Sequence, residues 1–161
     1  ADVAGKRVKP RWRSELPREV EETGLFALTG DTFENYAFDK NKDVLVQFIG
    51  PDCEFCSRLE LALTELSQRA SEQGWTSLGF LVAKMDDSKN DCHEEVTHGY
   101  PKLVLYPAVD VDRKMEMRKI YRGPYELDRL SAWILLNSRN LVGVKPAAGL
   151  FGKSAGSKRE L

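Results

Sequence analysis

The sequence predicts an α/β protein in which a central mixed β-sheet is flanked by helices on both faces. Short apolar runs alternate along the chain with segments whose apolar residues recur every three to four positions, a pattern typical of strands followed by helices. The last two apolar runs are joined by a short polar turn, which predicts an antiparallel pair. The 161 residues are 42% hydrophobic and 30% charged, enough for one domain with a proper core.

The first half of the predicted domain contains two strands and two helices. Leu25–Thr29 is a strand candidate, and Asp31 followed by Glu34 resembles a capping box for a short helix that runs to about Tyr36. Val44–Ile49 is apolar apart from one glutamine and is predicted to be a buried strand. A long helix follows it and ends before Gly74-Trp75; its apolar face consists of Leu59, Ala62, Leu63, Leu66 and Ala70.

The second half contains three more strands and two more helices. Phe80–Met85 is predicted to be a buried strand and Lys89–His98 a short helix. Lys102–Tyr106 and Met117–Tyr121 are predicted to be strands joined by a hairpin turn at Asp110–Lys114. A last helix is predicted from its apolar side, which carries Leu127, Leu130, Trp133, Ile134 and Asn137.

The two ends of the chain are predicted to lie outside the folded domain. Residues 1–23 show no sustained period and read as a linker that leads into a domain at 24–141. Residues 142–161 are rich in Gly, Ala, Lys and Ser and predict a mobile tail. A net charge of −1 gives no argument for binding nucleic acid or an anionic membrane, and no apolar run is long enough to insert into a bilayer. No signal peptide is visible, which leaves open a cytosolic chain, a processed chain or a fragment.

Two cysteines, Cys53 and Cys56, lie between the central strand and the long helix. We expect Cys53 at the helix N-terminus, where unpaired N–H groups and the helix dipole favour a thiolate, the nucleophile of disulfide exchange. We expect Cys56 one turn further along, where it could form a disulfide with Cys53 and release a mixed disulfide. Such a pair between a strand and a helix is typical of a thioredoxin-like redox motif.

The alternative is that the two cysteines form half of a zinc site. Zinc needs two further ligands at matched spacing, and Cys92, His93 and His98 are the candidates. These three residues lie on a predicted helix, on which Cys92 shares one face with Val96. We therefore interpret Cys92 as a small buried core residue that forms no disulfide with Cys53 or Cys56.

The order of these elements, with the cysteine pair after the second strand and Tyr100-Pro101 before the fourth, resembles the thioredoxin fold. The chain is most similar to the protein disulfide isomerase family, and specifically to its C-terminal catalytic thioredoxin domain. The resemblance covers roughly residues 5 to 137 and rests on Gly5-Lys6 through Glu15-Leu16-Pro17, Phe33-Glu34, Ala37-Phe38-Asp39, the central strand with Pro51 and the cysteine pair, Ala83-Lys84-Met85-Asp86, and His98 with Tyr100-Pro101.

The resemblance implies roles for four residues. Cys53 matches the nucleophilic, more exposed cysteine, and Cys56 matches the resolving cysteine. Pro101 matches a cis-proline that faces the pair, although an ordinary trans turn is the alternative, and Tyr100 with the Pro101 backbone would pair with an extended substrate. The resemblance implies no metal or other cofactor.

The residues that surround the cysteines depart from the family pattern. The buried glutamate that serves the family as a proton relay is Gln47, which has no titratable proton. Asp52 and Glu54 flank Cys53 with negative charge, which disfavours its thiolate and predicts a more reducing pair. The full set of departures is Gln47 for Glu, Asp52 for Trp, Glu54-Phe55 for Gly-His, Ser57 for Lys, Leu61 for Pro, and Tyr125, near Arg122, for a mobile Arg.

The last four residues, Lys158-Arg159-Glu160-Leu161, resemble the KDEL-type retrieval signal of that family, which implies the lumen of the endoplasmic reticulum. We therefore expect a thiol–disulfide oxidoreductase or isomerase domain that acts on unfolded or disulfide-containing secretory-pathway proteins. Its expected partners are these clients, glutathione or another thiol, and a retrieval receptor. The alternative is a redox-weak thioredoxin-like chaperone or substrate-binding module of the endoplasmic reticulum.

Overall fold

Five strands form one mixed sheet at the centre of the computed structural model, which describes residues 12–17 and 24–145. The strands are β1 (Phe26–Leu28), β2 (Asp43–Ile49), β3 (Phe80–Asp86), β4 (Lys102–Tyr106) and β5 (Lys119–Tyr121). The helices are α1 (Phe33–Ala37), α2 (Cys56–Glu72), α3 (Lys114–Met117) and α4 (Leu127–Asn137).

The strand order across the sheet is β1-β3-β2-β4-β5. The first three strands in this order are parallel, β4 runs antiparallel to β2, and β5 runs antiparallel to β4. The α/β class, the mixed sheet and the antiparallel final pair are therefore confirmed. The order places β2 at the centre, which explains why its sequence is almost continuously apolar.

Two apolar cores lie on opposite faces of the sheet. On the α2 face, Leu45 packs with Leu59 and Leu63 of α2 and with Ile134 of α4. On the α1 face, the side chains that share a core are Phe33, Ala37, Val44, Val46, Phe48, Met85, Val104 and Tyr106. Because successive residues of a strand point to opposite faces, Gln47 lies on the same face as Leu45, beneath α2.

The long helix α2 buries Leu59, Leu63, Leu66 and Ala70, which confirms its predicted apolar face. The chain leaves the helix through Gly74, whose φ of +85° is a left-handed conformation that glycine adopts without a steric cost. This face anchors α2 on the sheet and fixes its first turn beside the end of β2.

The predicted helix over 89–98 is wrong, because this segment contains no helix. Side chains of this segment form hydrogen bonds with residues far away in the sequence. Asn90 accepts the N–H groups of Glu15 and Gly30, at 2.8 and 3.0 Å, and Glu94 is bonded to side chains of β4 and of the segment before β5. An irregular path lets Asn90 and Glu94 reach these partners.

Cys92 is a free thiol and packs, partly buried, against the core on the α1 face. Its interpretation as a core residue that is not paired with Cys53 or Cys56 therefore holds, although the helical argument behind it does not. Burial raises the pKa of the Cys92 thiol to about 12, so it stays protonated at neutral pH.

Two smaller predictions also need correction. The first residue before α1 is Thr32, not Asp31, and the Thr32 hydroxyl accepts the Thr29 N–H at 2.9 Å rather than closing a capping box. The connection from β4 to β5 is a 3₁₀ turn followed by α3 rather than a hairpin turn, so β5 begins two residues later than predicted. Lys114 fixes this connection, since its buried ammonium donates to the Lys42 carbonyl at 2.9 Å.

The described part of the N-terminal segment lies against the loop after β3. Arg13 forms an ion pair with Asp91 at 2.7 Å and donates to the carbonyls of Asp87 and Ser88. The linker at 1–23 and the tail at 142–161 stay predictions, and the tail sequence at 158–161 lies outside the described residues. Among the described helices, none has the length and apolar character that a bilayer crossing requires.

Candidate active site

Cys53 and Cys56 form a disulfide in the turn that connects β2 to α2, with their Cα atoms 5.4 Å apart. The helix begins at Cys56. Cys53 therefore lies in the turn before the helix, whereas the sequence predicted that Cys53 would lie at the helix N-terminus. Both cysteines are half-buried and remain within reach of another molecule. The fold thus holds two sulfur atoms at bonding distance on an accessible turn.

The backbone of the cysteine turn has two special positions, Asp52 and Gly50. Asp52 has a φ of +56°, a left-handed conformation that Asp adopts more readily than bulky or β-branched residues. Gly50 leaves room for an aromatic ring, because a Cβ atom at this position would clash with the ring of Tyr100. The turn before Cys53 therefore packs directly against the loop that carries Tyr100.

The Tyr100–Pro101 peptide bond is cis, as predicted. Phe48 of β2 is in register with Lys102 of β4, which places Tyr100 and Pro101 beside the end of β2 and the start of the cysteine turn. The Tyr100 hydroxyl donates to Asp87 Oδ2 at 3.0 Å. Contact between Pro101 and Cys53, and pairing of this loop with a substrate, stay predictions.

In the hydrogen bond between Tyr100 and Asp87, the tyrosine hydroxyl keeps its proton and is the donor. Burial, with help from the bond to Asp87, raises the pKa of Tyr100 to about 12. Burial also raises the pKa of Asp87, although the bond from Tyr100 acts in the opposite direction. Tyr100 is consequently the donor at neutral pH, and the bond fixes its ring over Gly50.

The exposed part of the turn is rich in charge. Asp52 and Glu54 are both exposed, and their influence on the Cys53 thiolate stays a prediction. The sequence analysis missed Arg58, whose guanidinium carbon lies 5.7 Å from the centroid of the Phe55 ring in a cation–π contact. The three-residue spacing of Phe55 and Arg58 at a helix start is the signal that could have shown it. Arg58 therefore places a positive charge over the Phe55 ring, at the start of α2.

A second polar group lies beneath the turn, on the α2 face of the sheet. Gln47 is fully buried, and its Nε2 donates to the Cys56 carbonyl at 3.0 Å. Gln47 Oε1 has no hydrogen-bond partner among the described residues. Lys84 is in register with Gln47 on β3 and bonds to Glu60 of α2 at 3.0 Å. The sequence analysis missed Glu60, because a charged residue on an amphipathic helix usually faces solvent.

The remaining predicted residues lie near the other side of Pro101 or further along α2. Arg122 and Tyr125 line a surface depression of about 360 Å³ together with Pro101 and Lys102. Ser57 is exposed, and Leu61 is 74% exposed. The structure therefore groups Cys53, Cys56, Gln47, Tyr100 and Pro101 around one end of β2.

The candidate zinc ligands are engaged elsewhere. His93 pairs with Glu34 at 3.3 Å, His98 Nδ1 bonds to the Thr97 hydroxyl at 2.9 Å, and Cys92 accepts the Glu94 N–H. Within 12–17 and 24–145, no group of three or more His, Cys, Asp or Glu side chains is gathered as a metal would require. The described residues therefore give no support to the zinc interpretation.

Comparisons with known proteins agree with this geometry. A family model described as Thioredoxin matches residues 24–135. The chain is similar to a protein disulfide-isomerase of Saccharomyces cerevisiae, with 33% identity over 128 residues, 80% of this chain and 23% of that protein. It is 32% identical over 103 residues to a protein disulfide-isomerase of Oryctolagus cuniculus, which is 63% of this chain and 19% of that protein. The chain thus spans a quarter or less of the length of these two relatives.

Solved structures show the same fold. The first thioredoxin domain of mouse protein disulfide-isomerase A4 has a TM-score of 0.57 at 20% identity, over 95% of this chain and 99% of that one. The first two thioredoxin domains of Naumovozyma dairenensis Eps1p give a TM-score of 0.57 at 22% identity, over 77% of this chain and 46% of that one. These likenesses confirm the predicted thioredoxin fold.

Proposed function

Because the chain belongs to the thioredoxin family, we propose that Cys53 and Cys56 are the redox centre of a thiol–disulfide oxidoreductase or isomerase domain. The observation that carries the proposal is the accessible disulfide at the start of α2, next to a cis Tyr100–Pro101 bond. The similarity to protein disulfide-isomerases supports the same chemistry.

The proposed exchange runs through a mixed disulfide. When the pair is reduced, the Cys53 thiolate attacks one sulfur of a client disulfide, and the other client sulfur leaves as a thiolate. Cys56 then attacks Cys53, which closes the Cys53–Cys56 bond and releases the client dithiol. The same steps in reverse transfer the Cys53–Cys56 disulfide to a client. Isomerisation of a client proceeds only as far as the mixed disulfide with Cys53. Tyr100 and the Pro101 backbone would hold the client segment in an extended conformation next to Cys53.

The charges of the turn set the proposed redox poise. Asp52 and Glu54 disfavour the Cys53 thiolate, and Phe55 supplies no charge or hydrogen bond in place of histidine. A less stable thiolate makes the dithiol less favourable and the pair more reducing. Arg58 over the Phe55 ring offsets part of this effect.

Clients, partners and compartment follow from the same proposal. The clients are unfolded or disulfide-containing proteins of the secretory pathway. Glutathione or another thiol returns the Cys53–Cys56 pair to its starting redox state. The tail at 158–161 supports retrieval by a receptor and a place in the endoplasmic reticulum lumen. Disulfide exchange suits that compartment, because protein disulfides persist there.

A second candidate is a redox-weak chaperone or substrate-binding module. One observation favours it: the buried position beneath Cys56 is an amide, Gln47, which cannot take up a proton. In that case the Tyr100–Pro101 loop would bind clients, and the cysteines would exchange slowly.

Insulin reduction and refolding of scrambled ribonuclease separate the two candidates. The wild-type protein is compared with Cys53→Ser, with Cys92→Ser as the matched control for loss of a thiol. We expect Cys53→Ser to abolish both activities and Cys92→Ser to retain them. A wild-type rate no higher than that of Cys53→Ser would reject the oxidoreductase and leave the binding module.

A further inference from the structure

Three side chains form a polar cluster beneath the cysteine turn, on the α2 face of the sheet. Gln47 and Lys84 are register partners on the parallel strands β2 and β3, so they are direct neighbours that point to the same face. Glu60 lies one helical turn after Cys56 and reaches down to Lys84, with 3.0 Å between Oε2 and Nζ. The cluster is tied to the redox pair, because Gln47 bonds to the Cys56 carbonyl.

The chemistry of the cluster points to one proton acceptor. Gln47 is an amide, and Lys84 is a cation that is already bonded to a carboxylate. The next charged residue on this face of β3 is Asp86, which is bonded to the hydroxyl and N–H of Ser88. Glu60 pairs with Lys84, and its side chain is 24% exposed, so water can reach its carboxylate. Gln47 Oε1 is fully buried and has no hydrogen-bond partner among the described residues, while Gln47 Nε2 bonds to the Cys56 carbonyl and Lys84 lies in register on the next strand.

We propose that Glu60 accepts the Cys56 proton when Cys56 resolves a mixed disulfide, through a water molecule hydrogen-bonded to Gln47 Oε1. This inference rests on the proposed function, and it assigns to a helix residue the proton transfer that Gln47 cannot perform. Lys84 is the positioning residue that holds the Glu60 carboxylate beneath the cysteine turn.

The step balances within the protein and the client. The Cys56 S–H bond breaks, and its proton passes through the water to a Glu60 oxygen. The Cys56 sulfur forms a bond with Cys53, the bond between Cys53 and the client sulfur breaks, and that sulfur leaves as a thiolate. The negative charge moves from Glu60 to Cys56 and then to the client, while the positive charge of Lys84 stays in the cluster throughout.

Stopped-flow reaction of the reduced protein with 5,5′-dithiobis(2-nitrobenzoate), in a Cys92→Ser background, separates the two chemical steps. Attack by Cys53 releases the first nitrothiobenzoate, and attack by Cys56 on the mixed disulfide releases the second. We expect Glu60→Gln to leave the first phase unchanged and to slow the second phase at least tenfold at pH 7. The difference should vanish at high pH, where hydroxide removes the Cys56 proton.

The controls test the role of the carboxylate itself. Glu65→Gln, further along α2 and paired with Arg69, should match the parent in both phases. The double variant Gln47→Glu/Glu60→Gln, which offers Lys84 a carboxylate from β2, should recover most of the lost rate. A double variant as slow as Glu60→Gln would overturn the assignment of proton transfer to a carboxylate beside Lys84.

The outcomes also distinguish this inference from the proposed function. If the parent shows no second phase, Cys56 does not resolve mixed disulfides and the proposed function fails. If the parent shows a second phase and Glu60→Gln has the same rate at every pH, only the role of Glu60 is rejected. A loss that persists unchanged to high pH would mean that Glu60 acts through structure rather than through proton transfer, and it would also reject the proposal.

Discussion

Each face of the sheet carries a carboxylate bonded to a lysine of a neighbouring strand, and the two carboxylates differ in how completely they are satisfied. On the α1 face, the side chain of Glu94 is 0% exposed and receives Lys102 Nζ at 2.7 Å, the Tyr106 hydroxyl at 2.6 Å and Arg118 Nε at 2.7 Å. On the α2 face, the side chain of Glu60 is 24% exposed and bonds to Lys84 at 3.0 Å. The first carboxylate is enclosed by three donors, whereas the second pairs with one lysine and is partly exposed.

The electrostatics of Glu94 support this distinction. Burial alone would raise the pKa of Glu94, but the hydrogen bonds from Lys102, Tyr106 and Arg118 outweigh burial, and the net shift is downward. Glu94 therefore stays ionised at neutral pH and anchors the irregular segment that leads to Pro101. A carboxylate bonded to several donors, such as Glu94, serves structure, whereas the role proposed for Glu60 depends on its single lysine partner and its partial exposure.

The largest expected effect is the loss of stability in Glu94→Gln. This substitution removes the charge that compensates Lys102 and Arg118, and breaking a buried ion pair on one side costs about 3–5 kcal/mol. Urea unfolding of the reduced protein should show this loss as a lower midpoint with an unchanged slope. Glu95→Gln, at the exposed neighbouring position, is the matched control. Equal midpoints for the two variants would show that Glu94 does not have the structural role assigned to it.

The same residue predicts a pH dependence. Because the pKa of Glu94 is lowered by folding, its stabilising contribution is fully present above the unfolded value of about 4.3 and is lost as the pH falls through the folded value. The difference in unfolding free energy between the wild-type protein and Glu94→Gln should therefore narrow between pH 5 and pH 2. Urea unfolding across this range measures it, and a difference that stays constant would contradict the ionised state of Glu94.

The smallest expected effect on stability is that of Glu60→Gln. A partly exposed ion pair contributes about 0–1 kcal/mol, so the urea midpoint should change little even though the resolving step slows. A loss of stability as large as that of Glu94→Gln would remove the contrast between the two carboxylates. It would make Glu60 a structural residue in the same sense as Glu94.

The sequence predicts the parts of this fold that depend on local periodicity. The strands β2 and β4, the apolar face of α2 and the last helix follow from patterns that span a few residues, and the pair Cys53 and Cys56 follows from its spacing beside them. The apolar residues of these strands and helices recur with a local period, so the elements can be predicted without knowing which distant residues they pack against.

The parts that were missed depend on contacts across the sheet. The spacing of Cys92 and Val96 fits a helix, but the path of that segment is set by Glu94 and its donors Lys102, Tyr106 and Arg118. The position of Glu60 beneath the cysteine turn depends on the register between β2 and β3, which sequence spacing alone does not specify.

The redox equilibrium of Cys53 and Cys56 in glutathione buffers tests the central claim most directly. Alkylation of a Cys92→Ser protein followed by mass measurement gives the fractions of dithiol and disulfide. We predict a single two-electron transition at a more negative potential than that of the double variant Glu54→Gly/Phe55→His, each tenfold difference in equilibrium constant corresponding to about 30 mV. A pair that does not exchange with glutathione would contradict the oxidoreductase, and a potential at or above that of the variant would contradict the role of the flanking charges.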